Sequence, residues 1–108
     1  MHHSSPIPML QAQILIDKDE LHNEKKLYEY IMEFLFAAKV EGATAFEGVS
    51  GFGPGDRKMQ RPNRLFSFDE PPMMITFVDK EEKVKKVIKE LRNEFKGGLI
   101  ITQPVEEW

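Results

Sequence analysis

The chain contains no cysteine. That absence excludes disulfides, thiolate nucleophiles and cysteine-based zinc sites, and it fits a reducing compartment, so a cytoplasmic location is expected. No apolar run approaches the roughly 20 residues needed to cross a bilayer as a helix. The opening "MHHSSPIP" lacks the apolar stretch of a signal peptide. Histidine is scarce, and two of the three stand in the first three residues. His22 therefore reads as a loop or capping residue, and no metal site is expected. Neither sign of charge dominates: the net charge is -3, which gives no general attraction to nucleic acid, and none is expected as a partner. No Gly-x-Ser-x-Gly elbow or paired acid and base is visible. Glu29 and Glu47 stand alone, so a non-enzymatic role is expected.

What is present fits one domain in 108 residues. Residues 1–8 are expected to be a disordered tail and 9–108 the domain. "MLQAQILI", Met9 to Ile16, predicts a strand with Leu10, Ala12, Ile14 and Ile16 on one face. Met9, Gln11, Gln13 and Leu15 fall on the other. A helix is predicted from about Glu24 to about Val40, capped from among Asp17, Asp19 or Asn23 and stopped by Gly42. Leu27, Ile31, Phe34, Leu35 and Ala38 form its apolar stripe, with Tyr28, Met32 and Phe36 beside it.

Ala43 to Gly51 predicts a second strand, and Arg64 to Phe68 a short extension of its hairpin. Pro71-Pro72 is expected to interrupt any strand. Met73 to Asp79 predicts a third strand. Asp79 is then expected to cap a helix, with Glu82 completing a capping box. That helix carries Val84, Val87, Ile88, Leu91 and Phe95 on one stripe and a solvated lysine-rich face opposite, and it stops at Gly97-Gly98. Leu99 to Trp108 supplies the last strand. The order is βαββαβ, which predicts an α+β ferredoxin-like sandwich: a four-stranded antiparallel sheet with two helices on one face.

Two helices cover only one side of such a sheet. The other side would carry Met9, Gln11, Gln13 and Leu15 from the first strand, and the later strands are apolar on both faces: Met73, Ile75 and Phe77 against Met74 and Val78, and Leu99 and Ile101 against Ile100 and Thr102. A water-facing antiparallel sheet alternates more cleanly than this. A homo-oligomer packed through the open face is expected, with the glutamines hydrogen-bonding across the interface.

Between the second and third strands lies "EGVSGFGPGDRKMQRPNR". It is not a Walker-type loop, because it leads toward a strand and lacks the terminal Gly-Lys-Ser or Gly-Lys-Thr. Its glycines and cations still suit an anion held by backbone N–H groups and guanidinium forks. Gly51, Phe52, Gly53, Arg57, Lys58, Arg61 and Arg64 are the candidate ligand-binding residues.

These residues carry a resemblance. Leu27-Tyr28-Glu29 opening the helix, Gly42-Ala43-Thr44 entering the next strand, and Gly48-Val49-Ser50-Gly51-Phe52-Gly53 at the turn resemble the signature of domain of unknown function 190. "PMMITFVDKEEKVKKVIKEL" fits the same pattern. That family is similar to the PII signalling proteins and to CutA-type trimers. The resemblance implies a homotrimer with its sheets around a threefold axis. It also implies an adenine nucleotide or other small anion in the intersubunit clefts near the loop from Phe52 to Pro72. That loop would dock on a partner, and a membrane transporter of the fluoride-exporter type is the expected one. The phosphate-gripping turn that PII proteins carry before their second helix has no match: Asp79-Lys80-Glu81-Glu82 is acidic and free of glycine. The alternative reading is a CutA-like structural or metal-handling trimer that binds no nucleotide.

Overall fold

The computed structural model describes residues 5–51 and 71–108. Its elements run in the order β1 (Ile7–Asp17), β2 (Leu21–His22), β3 (Lys25–Lys26), α1 (Leu27–Ala37), β4 (Gly42–Glu47), β5 (Pro72–Asp79), α2 (Glu81–Glu94) and β6 (Leu99–Glu107). The main sheet has strand order β4-β5-β1-β6 and every pairing is antiparallel. This is the ferredoxin-like α+β sandwich that the order of apolar patterns predicts. The expected strand from Arg64 to Phe68 lies outside the described residues.

The core lies between the sheet and the two helices. Ala12, Ile14, Ile75, Ile31, Leu35, Val84 and Leu91 have no exposed surface. Each comes from an apolar position of the predicted period: two in β1 and β5, three to four in the helices. Tyr28 and Met32 pack partly buried against this core, whereas Phe36 at the end of their stripe is exposed. The lysine-rich face of α2 is solvated: Lys85 pairs with Glu81 at 2.7 Å and Lys86 with Glu90 at 2.9 Å, each one helical turn apart.

Several boundaries differ from the sequence expectation, and each has an identifiable cause. β1 starts at Ile7, where Ile7 and Pro8 pair with Glu107 and Glu106 of the long last strand. The first helix starts three residues late because Asn23 and Glu24 both take positive φ, 54° and 69°. Two such residues make a tight hairpin turn, and Lys25 and Lys26 pair back with His22 and Leu21. No side chain caps α1; instead the Leu27 N–H donates to the Glu20 carbonyl at 2.7 Å.

Gly42 does not stop α1. Lys39 does, at φ 61°. The Lys39 N–H donates to the Phe36 carbonyl and the Val40 N–H to the Leu35 carbonyl, the pair of bonds that closes a left-handed helix end. A lysine in that conformation carries strain of about 1 kcal/mol that glycine lacks. Lys39→Gly is therefore expected to raise the melting temperature by about 4–8 °C, read by thermal denaturation at fixed protein concentration.

Asp79 does not cap α2 in the expected way either. The N-cap is Lys80, which makes no side-chain cap bond. The buried Asp79 carboxylate accepts the Lys80 N–H at 2.7 Å and the Glu41 N–H at 3.0 Å. It therefore joins the end of β5 to the segment entering β4. Pro72 opens β5 rather than interrupting the strand, a place proline tolerates because a first residue need not donate to the ladder.

Candidate functional site

The segments that leave β4 and enter β5 form a stem held closed by backbone bonds. The Gly48 N–H donates to the Pro72 carbonyl at 2.7 Å, and the Lys18 N–H to the Pro71 carbonyl at 2.9 Å. The Lys18 ammonium faces the Glu47 carboxylate at 3.3 Å. The two prolines, unable to donate, serve as acceptors for both flanking segments. A Cβ on Gly48 would lie 2.7 Å from Pro72 Cγ, and one on Gly51 would lie 3.3 Å from it. The first two glycines of the motif thus let the chain lie against the Pro72 ring. Their role in the stem is close packing, which a phosphate-cradle reading does not capture.

Beside this stem lies the open face of the sheet. The strand registers arrange it in rows. Phe46, Met74, Leu15 and Leu99 form the row nearest the stem. Thr44, Thr76, Gln13 and Ile101 form the next, and Val78, Gln11 and Gln103 the one after. Met9 and Val105 close the far end. Phe46 and Ile101, on the two edge strands, are 49% and 44% exposed. Within the face, the Gln103 Nε2 donates to Gln11 Oε1 at 2.8 Å, and the Gln11 Nε2 donates to Thr76 Oγ1 at 3.0 Å. The Gln11 amide is therefore engaged inside the protomer, tying β6, β1 and β5 together.

A family model for DUF190, described as an uncharacterized conserved family, matches residues 9–107. The chain belongs to the DUF190 family. The DUF190 protein is 32% identical over 95 residues to a UPF0166 protein of Aquifex aeolicus (strain VF5), covering 87% of this chain and 88% of that one. Among solved structures it is similar to CPII of Thiomonas intermedia K12, a nitrogen regulatory PII-like protein bound to ADP, AMP and bicarbonate. That match has TM-score 0.65 and 19% identity over 94% of this chain and 89% of CPII. It is also similar to a PII-like signaling protein of Thermus thermophilus, with TM-score 0.63 and 13% identity over 94% and 90% of the two chains. These matches show a PII-like fold.

In the DUF190 protein the predicted ligand-binding residues divide sharply. Gly51 lies at the stem and is exposed. Phe52, Gly53, Arg57, Lys58, Arg61 and Arg64 lie outside the described residues. The stem partners Lys18, Glu47 and Pro72 carried no sequence signal as a group, because they come from three separate segments. A cleft of about 880 Å³ opens where α2 begins, between Met9, Lys80 and Val105. Its other charged lining residues are Glu81, Glu82 and Glu106, the wrong sign for a phosphate.

The β2–β3 hairpin gathers the remaining titratable groups. The His22 ring packs 4.4 Å from Tyr30, and His22 Nε2 lies 3.7 Å from Glu94 Oε1. Burial, and then the Glu94 carboxylate, pushes the Tyr30 hydroxyl above its ordinary value. Among the described residues, no three histidine, aspartate or glutamate side chains gather as a metal-binding group.

Glu20 is raised by burial and then by the Asp17 charge. Its carboxylate also lies close to Gly97. A raised carboxylate pKa favours the protonated form in the fold, so ionised Glu20 opposes folding at neutral pH. That penalty shrinks as pH falls through the folded value and is gone below the ordinary value of 4.5. Glu20→Gln is thus expected to melt higher than the wild type at pH 7, with the advantage vanishing below pH 4.5. Melting curves across pH 3–8 check this (both limits roughly set by where carboxylates titrate).

Proposed function

We propose that this DUF190 protein is a non-enzymatic, homotrimeric sensor. Three copies pack through the open faces of their sheets, and a small anionic ligand, an adenine nucleotide with or without a small oxyanion, binds in the clefts between them. The observation that carries this reading is the partly apolar open face ending at the closed loop stem. Association through that face brings each stem, with its loop, to a boundary between copies. The PII-like fold supports the same arrangement, and a protein of that fold is bound to ADP, AMP and bicarbonate.

The ligand contacts are Arg57, Lys58, Arg61 and Arg64, with Gly51, Phe52 and Gly53 supplying backbone approach. Binding beside the stem clasp of Gly48, Pro72 and Lys18 changes the surface offered to a partner. A membrane transporter of the fluoride-exporter type is that partner in this reading. Charge-assisted hydrogen bonds of about 1.5–3 kcal/mol each are enough for micromolar affinity, about 8 kcal/mol, once a base or sugar pocket is shared between copies.

Titration calorimetry of the wild-type protein with ADP, AMP and bicarbonate tests the reading. Binding in the micromolar range is expected with at least one of them. The Arg57→Ala/Arg61→Ala/Arg64→Ala variant is expected to lose about 100-fold or more, since two lost charge-assisted bonds already amount to roughly 3 kcal/mol. Absence of binding heat for all three ligands overturns it.

A further inference from the structure

We infer that the polar belt across the open face of the sheet, with Gln13 at its centre, sets the single orientation in which copies of this chain associate. The inference rests on the homo-oligomer reading above and adds the element that makes the assembly unique. Between the row of Leu15 and the row of Met9 the face carries no charged residue, in a chain that is 31% charged. Acidic groups stand only at its two margins, Asp17 at one end and Glu107 at the other. A face without charge is complementary to another copy of itself. A charged partner would leave its own charges buried and unpaired, at several kcal/mol each.

The face is not uniform. Its two ends are apolar, with Leu15 and Met74 near the stem and Met9 and Val105 at the far end, and the polar side chains lie between them. Contacts among Leu, Met and Val are non-directional and tolerate a slide or a rotation at little cost. An amide does not, because its bonds need both distance and angle.

The Gln11 amide already makes one bond at each end, to Gln103 and to Thr76. Gln13 and Thr44 make no side-chain hydrogen bond among the described residues, and the two stand in the same cross-strand row. When a second copy covers them, each polar group left unmatched costs about 1–3 kcal/mol. A slip of two residues toward the stem, roughly 6.8 Å, sets the Gln13 amide of one copy against the apolar row of Leu15 and Met74 in the next, and a slip the other way sets it against the row of Gln11, whose amide already bonds within its own copy. The aligned register is the one that satisfies the belt. A single buried asparagine fixes register in a coiled coil by the same logic.

The test uses the full chain and its lack of cysteine. Ile101→Cys and Phe46→Cys, both on the open face, singly and together, serve as register probes under mild oxidation, with sedimentation velocity and native mass spectrometry on the same samples. In the wild-type background one stoichiometry and one cross-linking pattern are expected. Gln13→Leu is expected to associate as tightly or more so, but to split into two or more stoichiometries or cross-linked registers. Thr44→Val, a position outside the buried core, is expected to do the same to a lesser degree. Leu99→Met, which keeps the apolar band apolar, is expected to leave the pattern unchanged. A single unchanged stoichiometry and pattern in both Gln13→Leu and Thr44→Val overturns the belt while leaving the homo-oligomer standing. A monomeric wild type overturns both.

Discussion

Gly98→Ala is expected to lower the melting temperature by about 8–30 °C, the largest effect of a methyl added to any glycine among the described residues. Gly98 holds φ at 72°, where a Cβ is strained whatever space surrounds it. The space is also taken. An added Cβ would lie 2.6 Å from the Leu15 carbonyl oxygen and 2.7 Å from Ile16 Cγ2. Leu15 and Ile16 belong to β1, which is paired on both sides and cannot move aside without disturbing β5 and β6. Left-handed strain and a backbone clash together cost roughly 2–4 kcal/mol, and each kcal/mol shifts melting by about 4–8 °C in a domain of this size. Gly97→Ala is the control. Its Cβ meets only the end of the flexible Glu20 side chain, at 3.1 Å, and a shift of a few degrees at most is expected. Equal melting of Gly98→Ala and wild type at one protein concentration would show that the β1–β6 corner is not closed as described.

The second large effect concerns assembly. On the proposed homotrimer, Leu15→Asp is expected to reduce the particle from three times the 12.5 kDa chain mass to the chain mass itself, as read by light scattering, with the far-ultraviolet circular dichroism unchanged. Leu15 lies on the open face, beside Met74 and Leu99, and is not part of the buried core. The protomer therefore keeps its fold. Association loses about 1.5–3 kcal/mol of apolar burial and must also bury a carboxylate against a face without cations, at several kcal/mol. Together these weaken association at least 1,000-fold, by roughly 4 kcal/mol. A Leu15→Asp protein that keeps the wild-type mass would place the interface elsewhere.

Much of this architecture was legible in the chain because burial repeats with the period of the element. Met73, Ile75 and Phe77 alternate with Met74, Thr76 and Val78, and the first set is buried. Val84, Val87 and Leu91 sit on one helical stripe and are buried as a group. The misreadings concern single residues whose role is set by a distant neighbour. Asp79 carries the local signature of a cap, yet one of its oxygens takes the Glu41 N–H from 38 residues away. Gly42 looks like a helix stop, but Lys39 holds the left-handed position, because the chain must turn into β4 sooner. Asn23 looks like a cap and instead forms half of a tight turn.

The candidate site was legible to a lesser degree. The glycine pattern drew attention to the right segment, since Gly48 and Gly51 do lie at a constrained place. The ring they pack against, Pro72, stands after the whole loop, and no spacing in the sequence links them. Lys18 joins the same stem from the end of β1. A pattern reading sees neighbours along the chain, whereas this stem is made of neighbours across a sheet.

The sequence by itself determined the order of the four main strands and two helices, the buried side of the helices and of the first strand, and the family, since these follow from local residue chemistry and its repeat. The tertiary structure alone decided which residues share a row on the open face, that Gln11 is engaged within its own protomer, and that Gly98 has no room for a side chain. Those facts depend on strand register and on backbone approach between segments far apart in sequence, and neither is encoded in any short stretch of the chain.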